Sequence, residues 1–126
     1  MRVTTFYIVL ILFVIVASCM SKPATESQSK VLSVKEYAQA LTTDTTAFLM
    51  DVRTPEEYAA GHIDGAVLYN VMDEEKFIAG IDTLSKEHTY YIYCRSGRRS
   101  QKAAKLMIES GLNVVDLQGG YNAWQE

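Results

Sequence analysis

Hydrophobic and polar positions divide this chain into three stretches of different character. Every residue from Phe6 to Ala17 is apolar (FYIVLILFVIVA), whereas Ser21 to Lys30 (SKPATESQSK) is polar, Ser-rich and carries Pro23. From Val31 onward apolar and polar positions mix at the short periods of folded structure. Ser33, with Glu36 three residues later, has capping-box spacing, and Val34, Tyr37, Ala38 and Leu41 fall on one helical face. Ala47–Val52 is a short, largely apolar run with turns on both sides, which predicts a buried strand. Thr54 at N-cap, Pro55 at N1 and Glu57 at N3 start a second, short helix that stops near Gly61. Ala66–Tyr69 is a further strand, Asp73 caps an acidic helix to about Ala79, and Thr89–Tyr93 is a β-prone run that ends at Cys94. Ser100–Ser110 reads as a helix with Ala103, Leu106, Met107 and Ser110 near one side and Gly111 just past its end. Val114–Leu117 is the last strand, and Tyr121–Glu126 begins a closing helix. Strands that alternate with helices predict an α/β fold in which a mainly parallel sheet is covered on both faces.

The apolar start is an address rather than part of that fold. Arg2 precedes the apolar run and the small residue Ser18 follows it, the layout of a secretory signal peptide. The rival reading is an uncleaved anchor, because the uncharged stretch Val3–Ser21 is nearly long enough to span a bilayer. Val16-Ala17-Ser18-Cys19 favours cleavage. It resembles a bacterial lipobox, and that resemblance implies a cut before Cys19 and lipid on its sulfur. The expected organisation is a lipoprotein signal peptide over 1–18, a lipidated Cys19 with a flexible tether over 19–30, and a folded domain over 31–126. Acyl chains contribute about 0.8 kcal/mol per buried CH₂, so several would hold the protein firmly on a membrane. The expected location is the bacterial cell envelope, lipid-anchored, on the periplasmic side.

Length and charge narrow the class. A chain of 126 residues is one domain's worth, long enough for a core that needs neither disulfides nor a structural metal. Its net charge is −3, and loss of residues 1–18 removes Arg2 and no acid. A nucleic-acid binder would carry a basic surplus, so nucleic acid is not an expected partner. With two cysteines, a disulfide scaffold and a Cys-rich zinc site are both excluded. His62 and His88 have no recognisable zinc spacing with Cys94. Asp73-Glu74-Glu75 complements a helix dipole better than it makes a metal site. Neither metal nor cofactor is expected, and the protein is expected to be a monomer.

The chemistry falls in Cys94-Arg95-Ser96-Gly97-Arg98-Arg99-Ser100, which follows a strand and precedes a helix. In parallel sheets ligands sit beyond the carboxyl ends of strands, where Cys94 and Asp51-Val52-Arg53 both lie. A thiol at the base of a loop feeding a helix faces unpaired N–H groups and the positive end of a dipole. Such thiols ionise more readily than a free cysteine. Gly97 lets the backbone curl so that amides turn inward as an anion cradle, and three arginines add multidentate donors. A nucleophilic thiolate and a receptor for a small anion therefore share one place, and no histidine or glutamate base is required.

That loop resembles the C-x-x-G-x-R-[ST] active loop of the rhodanese family of sulfurtransferases. Upstream, Asp51-Val52-Arg53 with Glu57-Tyr58 and Gly61-His62-Ile63-Asp64-Gly65-Ala66 is similar to the family's D-x-R…E-[FY]…G-H-I-x-G-A box. Downstream, Leu117-Gln118-Gly119-Gly120-Tyr121-Asn122-Ala123-Trp124 is similar to its L-x-G-G-x-x-x-W close. The resemblance covers everything beyond the tether. It implies a rhodanese-like three-layer sandwich around a five-stranded, mainly parallel sheet. It also implies that Cys94 takes sulfane sulfur from a small anionic donor such as thiosulfate and passes it to cyanide or a thiol through a persulfide.

In that reading the residues Arg95, Ser96, Gly97, Arg98, Arg99 and Ser100 bind substrate. Asp51, Arg53 and Glu57 support the site from behind. Arg99 is equally suited to orienting the loop through Asp51 or Glu57 and to touching substrate. His62 is expected to be structural. Two other readings stand beside the enzyme: a persulfide carrier, or a non-catalytic interaction module at the envelope, though such modules usually lack the cysteine. The loop also resembles, more distantly, Cys phosphatases and arsenate reductases of the Cdc25 type. Those use C-x₅-R, and here the corresponding position is Ser100, which leaves the loop one residue short for a tetrahedral oxyanion.

Overall fold

The computed structural model describes residues 29–126. The expected signal peptide, the expected lipidation site Cys19 and the expected tether as far as Gln28 lie outside the described residues. In chain order the elements are β1 (Ser29–Leu32), α1 (Val34–Thr43), β2 (Ala47–Asp51), α2 (Pro55–Ala60) and β3 (Val67–Leu68). They continue with α3 (Glu74–Ile81), β4 (Thr89–Tyr93), α4 (Arg98–Glu109), β5 (Asn113–Leu117) and α5 (Gly120–Trp124). The sheet order is β1-β5-β4-β2-β3, and all four strand pairs are parallel. This is the α/β architecture that the alternation of patterns predicts.

Period-two alternation along the central strands builds two cores, one on each face of the sheet. Tyr90, Ile92 and Val114 point toward α3 and α4, where Phe77, Ile81, Ala103 and Met107 meet them. Tyr91, Tyr93, Val115 and Leu117 point the other way, toward Tyr37 of α1, Tyr58 of α2 and Trp124 of α5. Tyr37 stands edge-on to both Tyr91 and Trp124, at ring separations of 5.4 and 6.3 Å. Its hydroxyl donates to the Ile92 carbonyl, which satisfies the one polar atom that this buried ring carries.

Both predicted capping boxes form. Ser33 and Glu36 cap α1 reciprocally, and Thr54 and Glu57 do the same for α2. Several boundaries differ from expectation. β1 begins at Ser29, so Ser29 and Lys30, the last residues of the expected tether, pair with Val114 and Val115. β3 is only Val67–Leu68, a short edge strand whose Val67 is exposed. α3 runs on to Ile81, and α4 begins at Arg98 rather than Ser100. The earlier start of α4 has a local cause. Gly97 adopts φ 101°, ψ −6°, a left-handed N-cap that turns the chain into the helix without a side-chain cap.

Candidate active site

Cys94 sits at the carboxyl end of the central strand β4, 1% exposed. The left-handed turn at Gly97 aims its amide back at the sulfur, and Gly97 N–H donates to Cys94 Sγ at 3.1 Å. On the same side Ser100 Oγ lies 3.5 Å from Sγ and also donates to the Gly97 carbonyl at 3.2 Å. The first turn of α4 carries Arg98 and Arg99, cations at the end of the helix that favours anions. A local rule broken in this way marks a place built to receive negative charge.

The arginines divide into two kinds. Arg99 forms a bidentate pair with Glu57, both contacts at 2.7 Å. Glu57 in turn accepts from the backbone and hydroxyl of Thr54, so one carboxylate joins the start of α2 to the start of α4. The Arg99 guanidinium, with help from Thr54, holds the Glu57 carboxyl down to about 2 against the opposing effect of burial. Of the two carboxylates open to Arg99, its partner is Glu57 rather than Asp51. Arg95 and Arg98 are exposed and have no ion-pair partner among the described residues.

Asp51 and Arg53 form a buried unit below this layer. Arg53 Nη2 donates to Asp51 at 2.7 Å and to the Gly61 carbonyl at 2.6 Å, and its guanidinium lies 4.3 Å from the centre of the Tyr121 ring. Arg53 also lines a cavity of about 300 Å³ together with Glu57, Gly61, Arg95 and Tyr121, on the α2 side of the loop. His62 stacks flat on Tyr58 at 3.7 Å, and its Nδ1 meets the Tyr58 carbonyl, so it finishes α2 rather than facing Cys94. Asp73 caps α3 and pairs with Lys76.

Two features have roles in the site that the sequence motifs alone do not assign. The pair Gly119-Gly120 docks α5 on the back of the active loop: Tyr121 N–H donates to the Cys94 carbonyl at 2.8 Å and Asn122 N–H to the Arg95 carbonyl at 3.0 Å. These two bonds fix the backbone of the loop from behind. Gly120 must be glycine, because a Cβ there would lie 2.6 Å from the Cys94 carbonyl oxygen. The second is Asp116, a buried carboxylate on β5 beneath the loop. Its signal was present, since alternation places it on the same face as the core residue Val114.

In this parallel α/β domain the buried Cys94 sulfur accepts from the Gly97 amide, and Arg95 and Arg98, on the same loop, have no ion-pair partner among the described residues. Residues 33–126 match the family described as "Rhodanese-like domain". The chain is 36% identical over 97 residues to the Bacillus subtilis (strain 168) protein YtwF, covering 76% of this chain and 90% of that one. It is 34% identical over 101 residues to the thiosulfate sulfurtransferase GlpE of Shewanella oneidensis, covering 79% and 96% respectively. The crystal structure of a rhodanese-like domain protein from Staphylococcus aureus superposes with a TM-score of 0.67 at 30% identity, over 75% of this chain and 90% of that one. The chain belongs to the rhodanese-like domain family, and its relatives include sulfurtransferases.

Proposed function

We propose that this protein is a sulfurtransferase of the thiosulfate type that works through a persulfide on Cys94. The observation that carries the reading is the Gly97 N–H donated to Cys94 Sγ at the mouth of a helix whose first residues are arginines. The Cys94 thiolate attacks the outer sulfur of thiosulfate. A Cys94 S–S bond forms, the S–S bond of thiosulfate breaks, and sulfite leaves with the electron pair. Cyanide or a thiolate then attacks the terminal sulfur, and the pair from the cleaved S–S bond returns to Cys94 as thiolate. Two displacements through one covalent intermediate need no redox partner. The negative charge on the persulfide is met by the loop amides and the helix end, a preorganised electrostatic site. Intact mass after incubation with thiosulfate tests this. A gain of one sulfur atom is expected, and an unchanged mass overturns it.

Arg95 and Arg98 gather the anionic donor, since they reach solvent without a carboxylate to neutralise them. Replacing Arg98 with alanine is expected to raise the thiosulfate KM by about threefold to tenfold, the scale of an exposed charge contact of roughly 1 kcal/mol, with a smaller effect on kcat. A KM equal to that of the parent would assign Arg98 to another task. The lipobox-like Val16–Cys19 supports a lipid-anchored protein on the periplasmic side of a bacterial envelope, where the acceptor is a thiol rather than cyanide. Cys19→Ala is expected to shift the protein from the membrane to the soluble fraction. A membrane-bound product of the same size would instead indicate an uncleaved anchor.

A further inference from the structure

Asp116 is a buried acid that neither the fold nor the transfer reaction described above uses. It is 3% exposed, and its Oδ1 has no hydrogen-bond partner among the described residues. A buried oxygen left unpaired in this way is costly, and a valine would fill the strand position at lower cost. Alternation points the Asp116 side chain to the same face of the sheet as Val114, the face that α4 covers. A cavity of about 420 Å³ opens on that face, and Asp116 lines it together with Arg98 and Gln101 of α4, Gln118 and the loop residue Gly97. Arg98 is exposed and belongs to the rim, whereas buried Asp116 belongs to the floor. These two opposite charges share one cavity, yet neither forms an ion pair with the other or with any described group. Gly97 ties the cavity to the chemistry, because its amide nitrogen lies 3.1 Å from Cys94 Sγ.

We propose that this cavity is the acceptor site and that it selects an amino-acid thiol, with the ammonium on Asp116 and the carboxylate on Arg98. The inference rests on the reading of Cys94 as the sulfur-carrying nucleophile, and it names the class of thiol that takes the sulfur. A cation and an anion held apart in one hollow are complementary to a zwitterion laid the other way round. Whatever reaches Asp116 must be small and must leave its water behind. An ammonium meets that demand, since it is compact and carries three donors. It gives the unpaired Oδ1 a charge-assisted hydrogen bond, the stronger kind. The carboxylate stays nearer solvent, where the planar guanidinium of Arg98 closes on it from a flexible stem. The thiol is then left on the Gly97 side of the cavity, next to the Cys94 sulfur. It gives its proton to solvent and attacks the outer sulfur of the persulfide as a thiolate. An S–S bond forms on the acceptor, the Cys94 S–S bond breaks, and its electron pair returns to Cys94. No oxidant or reductant is consumed.

Protein loaded with persulfide, freed of thiosulfate and mixed with acceptor, tests this through the loss of sulfur from its intact mass with time. Burial pushes the Asp116 carboxyl up to about 6, so a buffer well above that value keeps the carboxylate ionised. Cysteine is compared with 3-mercaptopropionate, which has the same skeleton and carboxylate but no ammonium. The ratio of their rates is expected to fall about tenfold from wild type to Asp116→Asn, the scale of a hydrogen bond between charged groups. The intrinsic difference between the two thiols cancels in that comparison. Arg98→Ala is expected to slow both acceptors, since both carry a carboxylate, and to leave their ratio in place. A second measurement needs neither a variant nor sulfur transfer. S-methylcysteine, with both charges and no thiol, is expected to slow iodoacetamide alkylation of Cys94 in a saturable way. The matching analogue without the ammonium, 3-(methylthio)propionate, should protect about tenfold less tightly. An unchanged ratio in a folded Asp116→Asn protein, or equal protection by the two analogues, overturns the proposal. Protection by S-methylcysteine in a protein that gains no sulfur from thiosulfate would sink the transferase reading alone.

Discussion

Cys94→Ser is expected to abolish sulfur transfer, with turnover lowered by about 10³-fold or more, the scale seen when a covalent nucleophile is removed. The reason is chemical rather than structural. A serine hydroxyl is not ionised by one backbone amide, and an oxygen at this position cannot accept and release sulfane sulfur as a persulfide does. The fold should be indifferent to the change. Ser at 94 would sit at the same end of β4 with the Gly97 N–H as donor and Ser100 beside it, so the new hydroxyl is not left unsatisfied. The α5 contacts use the Cys94 backbone carbonyl and persist. The variant should therefore melt within a few degrees of the parent and still bind thiosulfate at Arg95 and Arg98, while intact mass shows no sulfur gained. Transfer at the parental rate by a well-folded Cys94→Ser protein would end the assignment of Cys94. Loss of transfer in a misfolded protein would be resolved by Cys94→Ala, which removes only the sulfur.

How much of this could be read in the sequence depends on whether a feature is local. The two cores follow from alternation: Tyr90 and Ile92 to one side, Tyr91 and Tyr93 to the other, a pattern visible in five consecutive residues. The capping boxes at Ser33 and Thr54 are also local, as is the active loop, because its cysteine, glycine and arginines are contiguous. Features that depend on tertiary packing were harder to see. The sequence pattern predicts that α4 starts at Ser100. Gly97 in the left-handed conformation and Glu57, brought in from another helix to neutralise Arg99, make Arg98 the true start. β3 was expected to be longer because its apolar residues suit a strand, but an edge position gives Val67 no second sheet partner. The choice between Asp51 and Glu57 as partner of Arg99 could not be made from spacing, since it depends on how α2 lies against α4.

Gly120→Ala is expected to cost about 3–4 kcal/mol of stability and most of the activity, although residue 120 touches no substrate. Gly120 lies at φ 61°, a conformation that costs an L residue roughly 1–2 kcal/mol. Its added Cβ would meet three backbone atoms, Cys94 O at 2.6 Å and both Arg95 C and O at 2.7 Å, and none of them can swing aside as a side chain would. Relief requires α5 to back away from the loop, which breaks the Tyr121 and Asn122 amide bonds to Cys94 and Arg95 at about 1 kcal/mol each. The loop carbonyls then lose their anchors, and a misplacement of about 1 Å at a reacting centre is worth about 10²-fold in rate. Gly65→Ala isolates the backbone contribution, because Gly65 has φ 83° with nothing within 4 Å of an added Cβ. That variant should lose only about 1–2 kcal/mol in chemical denaturation and keep its transfer rate. Equal losses in the two variants would mean that α5 does not brace the loop. A Gly120→Ala protein far more destabilised than Gly65→Ala, and inactive at temperatures where it remains folded, would show that the closing glycine pair holds the cysteine loop in its working shape.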